Sequence, residues 1–160
     1  MRLAAAIMCG LVLTAGAAQA QSLYLTGVTD GGMIVSERDS LSWRNGNPRI
    51  NVHQIYTTPV AFEKDYGGGY DWIQRSAAEY EIDCRNNQSR THTFKFYTFE
   101  GRQSGGDGSV SEWSRFGDTS VLRSVRDLAC DNTLPGDTYF DSLAHAAYVY
   151  YDVMNNPDDE

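Results

Sequence analysis

Lysine is nearly missing: Lys64 and Lys95 are the only two in 160 residues, and no lysine or arginine follows Arg126. With a formal charge of −8, the chain lacks the basic footprint that nucleic acid or an anionic lipid surface demands, so charge argues against both as partners. Cysteine is scarce too. Cys9, Cys84 and Cys130 are all there are, none sits in a CxxC pair, and their spacing carries no metal or dithiol signature. Beyond residue 20 no apolar run approaches the roughly 20 residues of a helical span, so no integral membrane span is expected there. Catalytic constellations are likewise wanting. His53, His92 and His145 are far apart, with no HExxH or HxH spacing and no GxSxG elbow, and Gly105-Gly106-Asp107-Gly108-Ser109 lacks the lysine of a phosphate loop. The expectation is a protein that is not an enzyme, with no cofactor and no metal site.

What is present begins with an export signal. Arg2 gives a positive start, Leu3 to Ala15 is apolar and uncharged, and Ala18-Gln19-Ala20 puts small residues where signal peptidase reads them. Residues 1–20 are read as a cleaved signal, with the cut before Gln21. Cys9 leaves with it: Ile7-Met8 are not the small-residue context of a lipoprotein site. Exactly two cysteines then remain, in a compartment where thiols oxidise, and the even count reads as one bridge between Cys84 and Cys130.

About 140 residues make one domain, and the periods divide it into a strand-rich body and a helical end. Leu23–Gly27 and Gly32–Ser36 flank the turn Asp30-Gly31, and Asn45-Gly46-Asn47-Pro48 precedes a strand from Arg49 to Thr58 that ends at Pro59. In Arg75–Arg85 the residues Ser76, Ala78, Tyr80, Ile82 and Cys84 share one face. Glu79, Glu81 and Asp83 share the other, which is expected to be solvated and balanced by Arg85 and Lys95. Thr91–Glu100 is a further strand, and Gly101–Gly108 reads as a turn.

The period then changes to about 3.6. Asp118, Thr119 or Ser120 can cap a helix with Val121, Val125 and Leu128 on one face, running to about Ala129. On an ideal helix Cys130 lies opposite that face, so the helix is expected to end at or just before it if the bridge is to form. A second helical stripe, Phe140, Leu143, Ala144, Ala147, Tyr151 and Met154, lies in a tail, Asp131 to Glu160, with seven acidic residues and no Lys or Arg. It can cover the sheet or dock a partner or a second copy.

One aromatic cluster invites a binding role. Tyr66, Tyr70 and Trp72 surround Gly67-Gly68-Gly69, read as a flexible loop whose rings either contact proteins or sugars or fold back over the sheet edge.

The segment Tyr80-Glu81-Ile82-Asp83-Cys84-Arg85, the aromatic strand Thr93 to Phe99, Trp113 and the helix end Leu128-Ala129-Cys130 resemble the surface-adhesin protein E family over about Leu23 to Cys130. The resemblance implies an α+β fold: an antiparallel sheet of about six strands with a C-terminal helix tied across it by a Cys84–Cys130 disulfide, here followed by an extra C-terminal helix. The expected division is 1–20 signal, 21–130 adhesin-like domain and 131–160 acidic helical extension. It further implies location in the periplasm or on the outer surface of a Gram-negative bacterium, and a protein ligand, since characterised members bind host matrix and serum proteins. A homodimer is compatible with it. The leading expectation is an adhesin-like binding module; the alternative is a periplasmic structural or interaction protein with no host ligand.

Overall fold

The computed structural model describes residues 22–64 and 68–156. The expected signal segment, Tyr66 and the Asp158-Asp159-Glu160 end lie outside the described residues. The body is a meander built by short turns. β1 (Leu23–Thr29) turns at Asp30-Gly31 into β2 (Gly32–Arg44), which turns at Asn45-Gly46 into β3 (Asn47–Glu63). Asn45 and Gly46 both hold positive φ, 51° and 84°, as a two-residue hairpin turn that follows the strand twist requires. β4 (Tyr70–Asp83), β5 (Gln88–Thr98), β6 (Gln103–Asp107) and β7 (Ser114–Arg115) follow, then α1 (Val121–Asp131), β8 (Tyr139–Phe140) and α2 (Leu143–Asn155).

Among the described residues the strands form one open antiparallel sheet in the order β6-β5-β4-β3-β2-β1-β8, with β7 also on β5. The sheet has eight strands where about six are expected: β7 and β8 are two residues each, too short to show a period, and Gln103–Asp107, expected as part of a turn, pairs as an edge strand. Glycine is what fits that edge: a Cβ on Gly106 would come within 2.4 Å of the Phe94 carbonyl oxygen. β3 also runs through Pro59 to Glu63, where a register shift between Ile55 and Val60 absorbs the missing N–H.

The sheet is covered on both faces. Ser120 caps α1 by accepting from the Leu122 N–H at 3.3 Å, and Val125, Leu128 and Ala129 pack against Ile50, Val52 and Ile82. Gly27 lets the helix start sit close to β1, since a Cβ there would lie 2.7 Å from Val121 Cγ2. On the opposite face, set by the strand alternation, Ala146 and Tyr150 of α2 join Leu23, Met33, Val35, Ile55 and Phe140 in a second core.

The stripe on α2 is turned from the expected one: Ala146 and Tyr150 are buried, whereas Ala144 and Met154 are exposed. Two tyrosine hydroxyls fix this rotation. Tyr150 Oη meets Thr57 Oγ1 at 2.6 Å, and Tyr151 Oη donates to the Tyr56 carbonyl at 2.8 Å while accepting from Gln74 at 2.9 Å. Tyr151→Phe leaves that carbonyl and amide short of a partner, and is expected to lower unfolding free energy by about 1–2 kcal/mol in urea titration.

Cys84 and Cys130 are bridged, with Cα atoms 5.9 Å apart. Two details differ from expectation. α1 continues through Cys130 to Asp131 and stops at Asn132, which adopts the left-handed conformation (φ 53°) and donates its N–H to the Asp127 carbonyl. Cys84 lies in the turn just past β4, not on the strand face. The bridge therefore meets the helix on its flank: Arg126, one turn before Cys130 on the same side, donates to the Cys84 carbonyl at 3.3 Å. The helix has no need to unwind.

Candidate functional site

The glycine-rich segment between β3 and β4 is entered by strand from both sides. Val60 pairs with Ile73, Ala61 with Trp72, Phe62 with Asp71 and Glu63 with Tyr70, and Lys64 N–H donates to the Gly69 carbonyl at 2.9 Å. The result is a hairpin arm with two different sides.

The inner side is latched. Asp71, 6% exposed, accepts from Arg102 Nη2 at 2.9 Å, from Arg102 Nη1 at 3.3 Å and from the Ser104 hydroxyl, and pairs with Lys64 Nζ at 2.9 Å. Beside it Phe62 packs on Phe96 with centroids 5.1 Å apart, and Phe96 meets Phe94 edge-on at 4.8 Å. Arg102 foremost, then Ser104 and Lys64, hold the Asp71 carboxyl well below the usual carboxylate range. A depressed value stabilises the fold in full above the unfolded value, near pH 4, and that contribution is lost only as pH falls toward the lower folded value. Asp71→Asn is expected to speed hydrogen exchange at 60–63 and 70–73 severalfold while the amides of β2 stay protected; equal exchange in both proteins would remove the latch from the account.

The outer side carries Tyr70 and Trp72, each 62% exposed. They stand on the first and third residues of β4, on a strand rather than in a loop, and do not fold back over the sheet. Tyr66, the third member of the expected cluster, lies outside the described residues. Sequence reasoning missed the latch, because Asp71 meets Arg102 and Ser104 only through pairing across β4, β5 and β6. No local signal announces it.

The expected solvated face of β4 is instead the site of a buried charge cluster. Glu81 is 2% exposed. It accepts from Arg90 Nη2 at 3.1 Å, Arg49 Nη2 lies at 3.1 Å, His92 Nε2 at 2.5 Å, and Asn47 Nδ2 reaches the other oxygen at 3.2 Å. A register shift places His92 as the extra residue opposite Glu79 and Tyr80, which turns Arg90 and His92 toward the same carboxylate. Trp113 covers Arg90, its ring 4.6 Å from the guanidinium carbon. Of the partners expected for this face, Arg85 acts on Asp83, through its N–H at 3.0 Å and its charge, whereas Glu81 is held by Arg49, Arg90 and His92 instead.

The three histidines stay apart, each beside its own carboxylate: His53 with Glu37 at 3.5 Å, His92 with Glu81 at 2.5 Å and His145 with Asp141 at 3.0 Å. Among the described residues no group of His, Cys, Asp and Glu has the arrangement of a metal site, and no helix is long and apolar enough to cross a membrane.

The chain is thus a one-disulfide α+β domain with a helix on each sheet face and a latched aromatic hairpin. The family follows from comparison. The model of the surface-adhesin protein E family matches residues 24–131, and the chain belongs to that family. Two solved structures of Haemophilus influenzae protein E, one of them of crystal form II, share the fold. Both have a TM-score of 0.54 and 10% identity over 71% of this chain, covering 86% of the one and 89% of the other. Comparison with curated sequences gives no significant match.

Proposed function

We propose that this chain is an exported, non-enzymatic binding module that works in the periplasm or on the outer surface of a Gram-negative cell, contacting a protein partner through Tyr70 and Trp72. The observation that carries the reading is the asymmetry of the β3–β4 arm: one side is latched by Asp71 and Phe62, the other presents two large rings to solvent. Rigid aromatics are suited to this use, because they bring a large contact area with little side-chain entropy to lose. Family membership and the signal-like residues 1–20 support export. Tyr66, in the connecting segment, is assigned to the same surface on sequence grounds alone.

Pull-down with the mature protein against immobilised matrix proteins and against envelope extracts tests the reading. Retention of a matrix protein supports an adhesin, retention of an envelope protein supports the periplasmic interaction role, and retention of neither overturns both. Protease treatment of intact cells then places the protein on one side of the outer membrane.

A further inference from the structure

At the end of β3 remote from the aromatic arm, the β2–β3 turn, the β4–β5 turn and the end of α1 converge around an open cavity of about 540 Å³. Its lining is unlike that of the arm. Trp43, 58% exposed, stands on one side. Around it are Asn45, Asn47, Asp83, Arg85 and Asn86, with the Cys84–Cys130 bridge joining the turn to the helix end.

The walls are held in place. Asn45 and Gly46 are set by their positive φ values. The Asp83 carboxylate is pinned by the Arg85 N–H at 3.0 Å, the Asn86 N–H at 3.1 Å and Asn86 Nδ2 at 2.7 Å. A carboxylate has about four acceptor positions, so one remains on Asp83 for a ligand. Asn47 is anchored through its amide to buried Glu81. Pre-set walls lower the ordering cost of binding.

The geometry points to a saccharide-binding site in this cavity, built for neutral hexose or N-acetylhexosamine units. A pyranose has one apolar face of C–H groups and a rim of hydroxyls. An exposed indole offers a stacking surface for the first, and planar amides, a carboxylate and a guanidinium offer paired donors and acceptors for the second. Charge favours the neutral class: Asp83 lies beside Arg85 and Asp131 pairs with Arg126, so both cations are already matched to a carboxylate and neither is left over to hold the anion of sialic acid or a sugar phosphate.

The inference is independent of the protein-binding reading, and one titration separates them. Chitotriose and maltotriose are added to the full mature protein while the indole N–H signals of its three tryptophans are followed by NMR. A saturable shift of the Trp43 signal with at least one sugar is expected, with affinity reduced about tenfold or more by Trp43→Ala, reduced also by Asn86→Ala, and unchanged by Trp72→Ala. Absence of any shift with either sugar, or equal affinity in wild type and both cavity variants, overturns the site. Loss of sugar binding in Trp72→Ala alone would move it to the arm and overturn it as well.

Discussion

Glu81→Ala is expected to destabilise the protein by roughly 3–5 kcal/mol, the cost of leaving buried positive charge without its counter-ion. Arg49 and Arg90 both turn toward this carboxylate, with side chains only 22% and 29% exposed; without it Arg49 keeps Glu79 alone, at 3.7 Å, and Arg90 loses its carboxylate. Burial pushes the Glu81 pKa up, but the bonds from Asn47, His92 and Arg90 outweigh it, and the net direction is down. The sign is therefore that of a depressed carboxylate: its contribution is complete above the unfolded value, near pH 4.3, and fades as pH falls toward the folded value. Urea midpoints at pH 7 and at pH 3 check this. The gap between wild type and Glu81→Ala should shrink in acid; a variant as stable as wild type at pH 7 would show that Glu81 merely tolerates its site.

Removing the bridge by Cys84→Ser with Cys130→Ser is expected to cost about 4 kcal/mol on the chain-entropy model, for cysteines 46 residues apart. In a domain of this size that lowers the melting temperature by on the order of 10–15 °C. The loss should concentrate in α1, whose last turn is held to the β4–β5 turn by the bridge and by Arg126. Calorimetry of the double variant measures the first, and amide exchange over 121–131 the second. An unchanged melting temperature would mean that Val125, Leu128 and Ala129 hold the helix alone.

Much of the fold was legible because its signals are local. Asn45-Gly46 announces a turn by its need for positive φ, Asp30-Gly31 announces one by composition, the run Asp118-Thr119-Ser120 announces a helix start that Ser120 caps, and the change of period at Val121 separates sheet from helix. Where reading failed, the deciding partner lay far along the chain. Gly105-Gly106 became strand because the backbone of β5 passes close beside them. Glu81 looked solvated because its partners, Arg49, Arg90 and His92, come from the neighbouring strands, and the bulge that turns His92 inward leaves no mark in the alternation. Cys130 looked misplaced only because Cys84 was set on the strand; one residue further, in the turn, it meets the helix flank. Of the candidate site, the aromatic pair was readable from composition around the glycines. The Asp71 latch behind it was not.

The most direct test of the account is binding by a variant in which only the outer side of the arm is changed. Tyr70→Ala with Trp72→Ala should leave the far-UV spectrum and melting temperature near those of wild type, since both side chains are largely in solvent. Its affinity for the protein partner retained from matrix or envelope, measured by surface plasmon resonance, should fall about tenfold or more. Wild-type affinity in a folded double variant would contradict the assignment of this arm as the contact surface.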